Sequence, residues 1–515
     1  MSSLDRLYDA PMLGSRLMEE DTVRVGEGSY SLRELVGVVG VSGTMVELVR
    51  CSKTSVGCMG GGERRLVRDR VKVGDAGSVV EEVRRVLRSA YPASPRKALV
   101  VVNPKGGTGQ ARRVYERDVR PIFEAAGLKV DLLVTSRPRE AMDRCRALAA
   151  ERFPKNNTTT SRRPSLEAKE DADIDCIVVV GGDGTAFECV NGLWEGCGGG
   201  PKSVVSDSRR RREEAAEFAS KLSTIPIGHI PAGSGNALAE SVARAHGDRC
   251  TPCDAAYAVV KGTVVPLDLA EYELADGSVV PSFLSFEWAM LADVDLGSES
   301  MRCLGDLRFQ LAAVYRICCL KKYEGTLAYL PFQDDINDPT TYESRPVDLP
   351  RLDNLTKESQ RQNSSSTEAS DASSLLEKWV VVDATNFHLL VATNLSHLDA
   401  NTPIAPRALP DDGALHLVWT AGDTSSASKL SLTSLLLNLD QGKHVDSPFV
   451  HVAKCRAFRL EPAANSTSRA AIDGEEIPNA TIQASLRPSC LRVFASPPLL
   501  REVQAGLGPP STVAS

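Results

Sequence analysis

The chain has 515 residues, room for about two to four domains at roughly 100–200 residues each. With 42% hydrophobic and 25% charged residues, its composition is that of ordinary globular material. A net charge of −7 supplies no global field toward nucleic acid or anionic lipid, so a nucleic-acid partner is not expected and any membrane contact must be local. No apolar run reaches the ~18 residues that span a bilayer, no charged-then-apolar leader opens the chain, and neither end shows a lipidation signal. A cytoplasmic location is the expectation. The 13 cysteines lack framework spacing and read as reduced thiols. Cys250 and Cys253 have CxxC spacing with His246 upstream, but a metal site needs four ligands and no second pair lies nearby in sequence.

Along the chain, residues 1–95 carry short β-like runs and a glycine-cysteine patch, "CMGGGE". They end in the amphipathic stretch "SVVEEVRRVLRSAY" and a proline-rich boundary, leaving an accessory region of unassigned role. From Lys97 short apolar runs alternate with helical stretches. "KALVVVNP" reads as a strand buried on both faces, followed by a helix to about Gly127, the strand "KVDLLVT" and a helix from about Arg139. "IDCIVVV" and "IPIGHIP" are further strands, and "NALAESVARAHG" a helix. This alternation predicts an α/β domain with a parallel sheet over residues 96–262.

After Gly262 the pattern turns to β. Asp276-Gly277, Asp412-Gly413 and Asp473-Gly474 each sit between alternating apolar runs as hairpin signals, which predicts a mostly antiparallel second domain over 263–332 and 376–497. Residues 154–173 and 198–223 read as polar insertions, the latter with the run Arg209–Arg212 in a solvated loop before a short helix. Residues 333–375 are depleted in apolar side chains and read as a disordered linker. Residues 498–515 form a tail.

Four glycine- or turn-rich stretches follow apolar strands: "VNPKGGTG" (102–109), "VTSRPRE" (134–140), "VGGDGTAFE" (180–188) and "PAGSGNALA" (231–239). Ligands of an open α/β sheet collect beyond the carboxyl ends of its strands, so all four point to one place. Glycines admit a ligand close to the backbone, helix-start N–H groups attract anions, and Lys105, Arg137 and Arg139 add positive charge. Together they describe a polyphosphate cradle, without the G-x-x-x-x-G-K-[ST] loop of one ATPase class. Asp183 is the odd member. On residue type alone it is an N-cap for the helix that follows; beside phosphate loops it fits the group that accepts a nucleophile's proton in phosphoryl transfer.

"NPKGG", "GGDGT", "PAGSGNALA" and "ADVDLGSESMRCLGDLRF" together resemble the sphingosine (long-chain base) kinases, within the diacylglycerol kinase catalytic superfamily. "GGDGT" alone is shared with NAD kinases and phosphofructokinases; the stretch at 292–309 narrows the family. The resemblance implies a nucleotide-binding α/β domain joined to a β-sandwich that carries the lipid pocket. It implies ATP and Mg²⁺ as cofactors, and a primary hydroxyl of a sphingoid base as acceptor. Carried over by position, Asp183 is the general base, and Gly181, Gly182 and Gly184 lie with it at the substrate. Asn103, Pro104, Lys105, Thr135, Ser136, Arg137, Pro138, Arg139, Glu188, Gly233, Ser234 and Gly235 line the nucleotide. Arg302 and Arg308 hold its phosphates, Asp473, Gly474 and Glu475 form a third phosphate-side or metal-side turn, and Asp295 pairs with the lipid's amino group. No metal ligand set is assigned. A lipid substrate implies transient contact with a membrane surface, and a homodimer is compatible with the sequence. The competing readings are a kinase for diacylglycerol or ceramide, an NAD kinase, and a lipid-binding scaffold without activity.

Overall fold

The computed structural model of the chain describes residues 18–19, 22–53, 63–154, 174–200, 208–298, 307–332, 379–382, 386–422, 426–464 and 466–496. The linker 333–375, the tail 498–515 and Arg302 lie outside the described residues.

The parallel sheet is built as the alternation requires. Strands Lys97–Val102, Lys129–Val134, Cys176–Gly181 and Ile227–Pro231 pair in register in the spatial order second, first, third, fourth. Strands one and three are buried along almost their whole length because helices cover both faces, so their sequences are continuous valine and isoleucine rather than alternating. The chain reverses direction across the sheet between strands one and three. Their carboxyl ends therefore open a crevice at a topological switch point, and Asn103 and Asp183 lie just beyond them.

The second half is antiparallel, and the two halves share a sheet. Strand Ile482–Phe494 pairs antiparallel with Val264–Glu273 and His451–Pro462, and at Val493 meets Ile227 of the parallel sheet. The apolar sequence around "SFEWA" forms strand Ser285–Ala289, at the centre of a core that includes Phe286, Trp288, Phe387 and Phe458. Asp276-Gly277 turns between strands Val264–Glu273 and Val279–Ser282, and Asp473-Gly474 between Ala470–Ile472 and Glu475–Ile477. Asp412-Gly413 does not make a hairpin. No strand immediately precedes Leu415–Ala421, and the turn is held instead by the Gly413 N–H donating to Asp268 at 2.7 Å. The arginine run also differs from expectation: helix Ser208–Leu222 takes in residues 209–212. Arginine is a good helix former, and four of them followed by Glu213-Glu214 continue a helix rather than break it.

The N-terminal region packs as a separate layer. Strands Thr22–Val25 and Gly28–Ser31 belong to one sheet, Leu35–Ser42, Met45–Lys53 and Arg64–Lys72 to another. Helix Ala76–Ala90, capped by Asp75 through the Ser78 N–H, buries Val83 and Val86 against them. Lys261 fastens this layer to the α/β domain: its buried Nζ donates to the Leu32 and Leu35 carbonyls at 2.6 and 2.9 Å and lies over the Tyr91 ring. Arg64 reaches across the same boundary to Asp254 at 2.7 Å and Asp248 at 3.0 Å.

Candidate active site

Three of the four loops meet backbone to backbone. Gly107 is in the left-handed region at φ 52°, and a methyl group on it would stand 2.5 Å from the Ser234 nitrogen. A methyl on Gly182 would stand 2.7 Å from the Gly235 carbonyl oxygen. Only glycine permits this approach. Side chains then lock the turns. Asn103 accepts the N–H groups of Lys105 and Gly106, each at 3.1 Å, and donates to Thr185 Oγ1 at 3.1 Å. Asn236 accepts from Ala232 at 3.1 Å and Gly233 at 3.0 Å. Lys105 and Ser234 are exposed at the mouth of this junction.

The fourth loop joins through Glu188. The carboxylate of Glu188, on helix Asp183–Gly196, accepts the Arg139 N–H at 3.1 Å, and Arg139 is left-handed at φ 63° where it starts helix Glu140–Arg152. Glu140 draws the loop inward, accepting the N–H groups of Ser136 and Arg137 at 2.6 and 3.3 Å. Arg137 pairs with Asp143 at 2.8 Å, and Pro138 is exposed beside it. Thr135 is buried, its N–H donating to Val102 at 2.9 Å.

Asp183 is buried at the junction. It opens helix Asp183–Gly196 but does not cap it; that position belongs to Gly182. Its carboxylate reaches instead to the neighbouring helix Ala237–Ala245 and accepts the Ala237 and Leu238 N–H groups at 2.7 and 3.1 Å. The sequence assigned helix-start N–H groups to a phosphate, and here two of them are already held by a carboxylate. The phosphate contacts expected from sequence at this helix are therefore left to the Gly233-Ser234-Gly235 turn preceding it. Burial pushes the Asp183 carboxyl above the usual range, and the two N–H donors offset part of that shift.

On the other side stand residues of the antiparallel half. Asp295 is half-buried on helix Met290–Ser298, with its Oδ2 against Gly474. Glu287 is buried next to it, its carboxyl pushed up to about 8 by burial and then by the Asp295 charge. The segment carrying Asp399 touches the helix that Asp183 binds, the His397 N–H donating to Ser241 at 3.2 Å, and the Asp399 charge raises the carboxyls of both Asp183 and Glu287. The Asp473 carboxylate faces its own domain: Ser282 Oγ and the N–H groups of Phe283, Leu284 and Ser285 all donate to it. A phosphate-side or metal-side role in that turn is thus left to Gly474 and Glu475, both exposed. Arg308 lies in the first turn of helix Leu307–Cys318, and its side chain is outside the described residues.

The sequence has known counterparts. A model of the diacylglycerol kinase catalytic domain matches residues 97–272, and a model of the YegS C-terminal NAD kinase beta sandwich-like domain matches residues 380–495. Sphingosine kinase 1 of Homo sapiens is 29% identical over 408 residues, covering 77% of this chain and 90% of the relative. Sphingosine kinase 1 of Arabidopsis thaliana is 28% identical over 379 residues, covering 72% and 65%. Sphingoid long chain base kinase 4 of Schizosaccharomyces pombe is 27% identical over 395 residues, covering 76% and 73%. The chain belongs to the sphingosine kinase family, within the diacylglycerol kinase catalytic superfamily. It is a lipid kinase, and kinases of this family use ATP. Among solved structures, a diacylglycerol kinase from Bacillus anthracis str. Sterne aligns with a TM-score of 0.44 at 16% identity, covering 78% of this chain and 97% of the other.

In this kinase, Asn103, Thr135, Glu188, Gly182, Asp183, Gly233 and Gly235 come together as the loops require. Two titratable residues at the site escaped the sequence reading. Glu287 alternates within a strand, where a glutamate normally marks the outward face; here both faces are buried, and nothing local says so. His229 sits in an apolar strand run and reads as core until its neighbour Asp183 is placed.

Proposed function

We propose that this kinase transfers the γ-phosphoryl group of Mg-ATP to the primary hydroxyl of a sphingoid long-chain base, with Asp183 as general base. The observation that carries the reading is the position of the Asp183 carboxylate, buried where three glycine loops converge and fixed by two backbone N–H groups. Each oxygen keeps lone-pair capacity beyond its one N–H bond. Phosphoryl transfer asks mainly for alignment, charge neutralisation and a proton acceptor. Lys105, Arg139 and the turns at Gly107 and Gly233–Gly235 are the groups of this chain placed to bind the nucleotide. Mg²⁺ would be held largely by phosphate and water, with Glu475 the exposed carboxylate of the turn assigned to the phosphate or metal side by resemblance, and its charge would neutralise the transferring group.

The lipid's cationic amine lies next to its hydroxyl, and Asp295 supplies negative charge for that amine, with the raised Glu287 carboxyl beside it as a hydrogen-bond acceptor. Diacylglycerol and ceramide have no free amine to meet it. Because the substrate resides in a bilayer, we place the enzyme in the cytoplasm with transient membrane attachment. Val314, Tyr315, Leu430 and Leu437 are exposed apolar residues on two helices in mutual contact, which supports such attachment.

Asp183→Asn tests the base. Turnover should fall by ~10²-fold or more while ATP affinity holds; near-normal turnover in that variant would mean the base is another residue.

A further inference from the structure

His229 stands behind Asp183 in strand Ile227–Pro231, with its imidazole buried. Nε2 lies 3.1 Å from the Gly181 carbonyl oxygen. A carbonyl only accepts, so Nε2 carries the hydrogen and Nδ1 carries a lone pair. Nδ1 is buried without a hydrogen-bond partner, and it points at Asp183 Oδ1 from 3.9 Å. Two lone pairs facing each other repel. One proton placed between them turns the repulsion into a hydrogen bond of ordinary length, ~2.7–3.0 Å. The pair is therefore built to hold one proton more firmly than an aspartate alone.

The surrounding charges leave that role to His229. Helix Ala237–Ala245 offers Glu240, which pairs with Arg244 at 2.6 Å. The segment 248–254 offers Asp248 and Asp254, both held by Arg64, with Lys53 also on Asp248. These two carboxylates, Arg249 and Cys250 line a small cleft of about 40 Å³ that His229 also borders. From the antiparallel half, Asp399 adds negative charge at Asp183.

We propose that His229 is the positioning residue of the catalytic base: its Nδ1 shares the proton that Asp183 takes from the lipid hydroxyl. The inference rests on the reading of Asp183 as that base. In the step, the lipid O–H bond breaks and its proton passes to Asp183 Oδ1. The freed electron pair of the hydroxyl oxygen forms the bond to the γ-phosphorus, and the bond from that phosphorus to the β–γ bridging oxygen breaks to release ADP. The proton rests between Oδ1 and Nδ1 until product leaves, then passes to solvent. Burial disfavours an imidazolium at rest, which keeps His229 neutral and ready to accept.

The test is the pH profile of kcat/KM for the lipid in His229→Phe and His229→Asn, with thermal melts as a control for folding. Phe keeps a ring and has the adjoining cleft to fit into; Asn keeps polarity without titrating. Both variants should move the acid limb down by about one pH unit and lower kcat by about tenfold, with KM for ATP unchanged. A wild-type acid limb in a folded variant overturns the proposal, whether kcat falls or not, since a purely structural histidine would leave that limb in place. Where His229→Phe does not fold, His229→Asn carries the test. Asp183→Asn, measured alongside, separates the two readings: its near-normal turnover would sink the base itself, not merely its partner.

Discussion

At the scale of residues, the site is made by backbones that could not meet if they carried side chains. Gly182 and Gly235 press together where Asp183 departs for its own helix, and Asp183 N–H closes the contact on the Gly235 carbonyl at 3.1 Å. A methyl at Gly182 has only main chain to push against, so the two loops must part. Gly182→Ala should therefore lower stability by about 1–3 kcal/mol and turnover by more than that loss implies, because Asp183 moves with the loop. Thermal melts and steady-state kinetics on the same preparation check this; a variant with wild-type turnover would show that the loops tolerate separation. The glycines were visible in sequence as a motif. The partner of each was not, because close approach is a relation between residues some 50 or more positions apart, as with Gly182 and Gly235. Asp183 shows the same limit. Its residue type says helix cap, and it does cap a helix, but the one that begins at Ala237 rather than its own.

At the scale of elements, strands and helices of the α/β half were readable because continuous apolar runs and turn residues alternate with little ambiguity. The antiparallel half was less so. Asp412-Gly413 carries a hairpin signature, yet its glycine serves a buried aspartate on another strand. Asp268, in strand Val264–Glu273 where the pairing with Ile482–Phe494 shifts register, accepts the Gly413 and Ser489 N–H groups, each at 2.7 Å. It ties three segments together at one irregularity. Burial pushes its carboxyl up to about 7. A carboxyl whose folded value exceeds the ordinary ~3.9 binds its proton more tightly in the folded chain. Its contribution to stability is thus full below about pH 4 and is lost as pH rises through about 7, with a slope of up to about 1.4 kcal/mol per pH unit. Melting temperature should fall between pH 5 and pH 8, and Asp268→Asn, which mimics the protonated form, should flatten that fall. Parallel curves for the two proteins would assign the pH dependence elsewhere.

At the scale of the whole molecule, two sheets of different character become one, joined at the amino end of strand Ile227–Pro231 and so away from the loops at its carboxyl end. Strand Ile482–Phe494 belongs to the antiparallel half through most of its length and touches the parallel sheet at its end. The phosphate loops and Asp183 come from one half, and Asp295, Glu287 and the Gly474 turn from the other. Composition and charge placed the chain among globular proteins, and strand-end loops pointed to the nucleotide side of the proposed site. The proposed lipid side rests on family resemblance, since apolar strands that line a pocket and apolar strands that fill a core have the same sequence.

Which lipid the kinase phosphorylates is best settled by offering the purified enzyme Mg-ATP with sphinganine, diacylglycerol, ceramide and NAD in parallel. Phosphate should appear on sphinganine, the one acceptor whose amine the Asp295 carboxylate can hold, and at least ~10²-fold more slowly on the others. Phosphorylation of NAD, diacylglycerol or ceramide without phosphorylation of sphinganine would contradict the assignment.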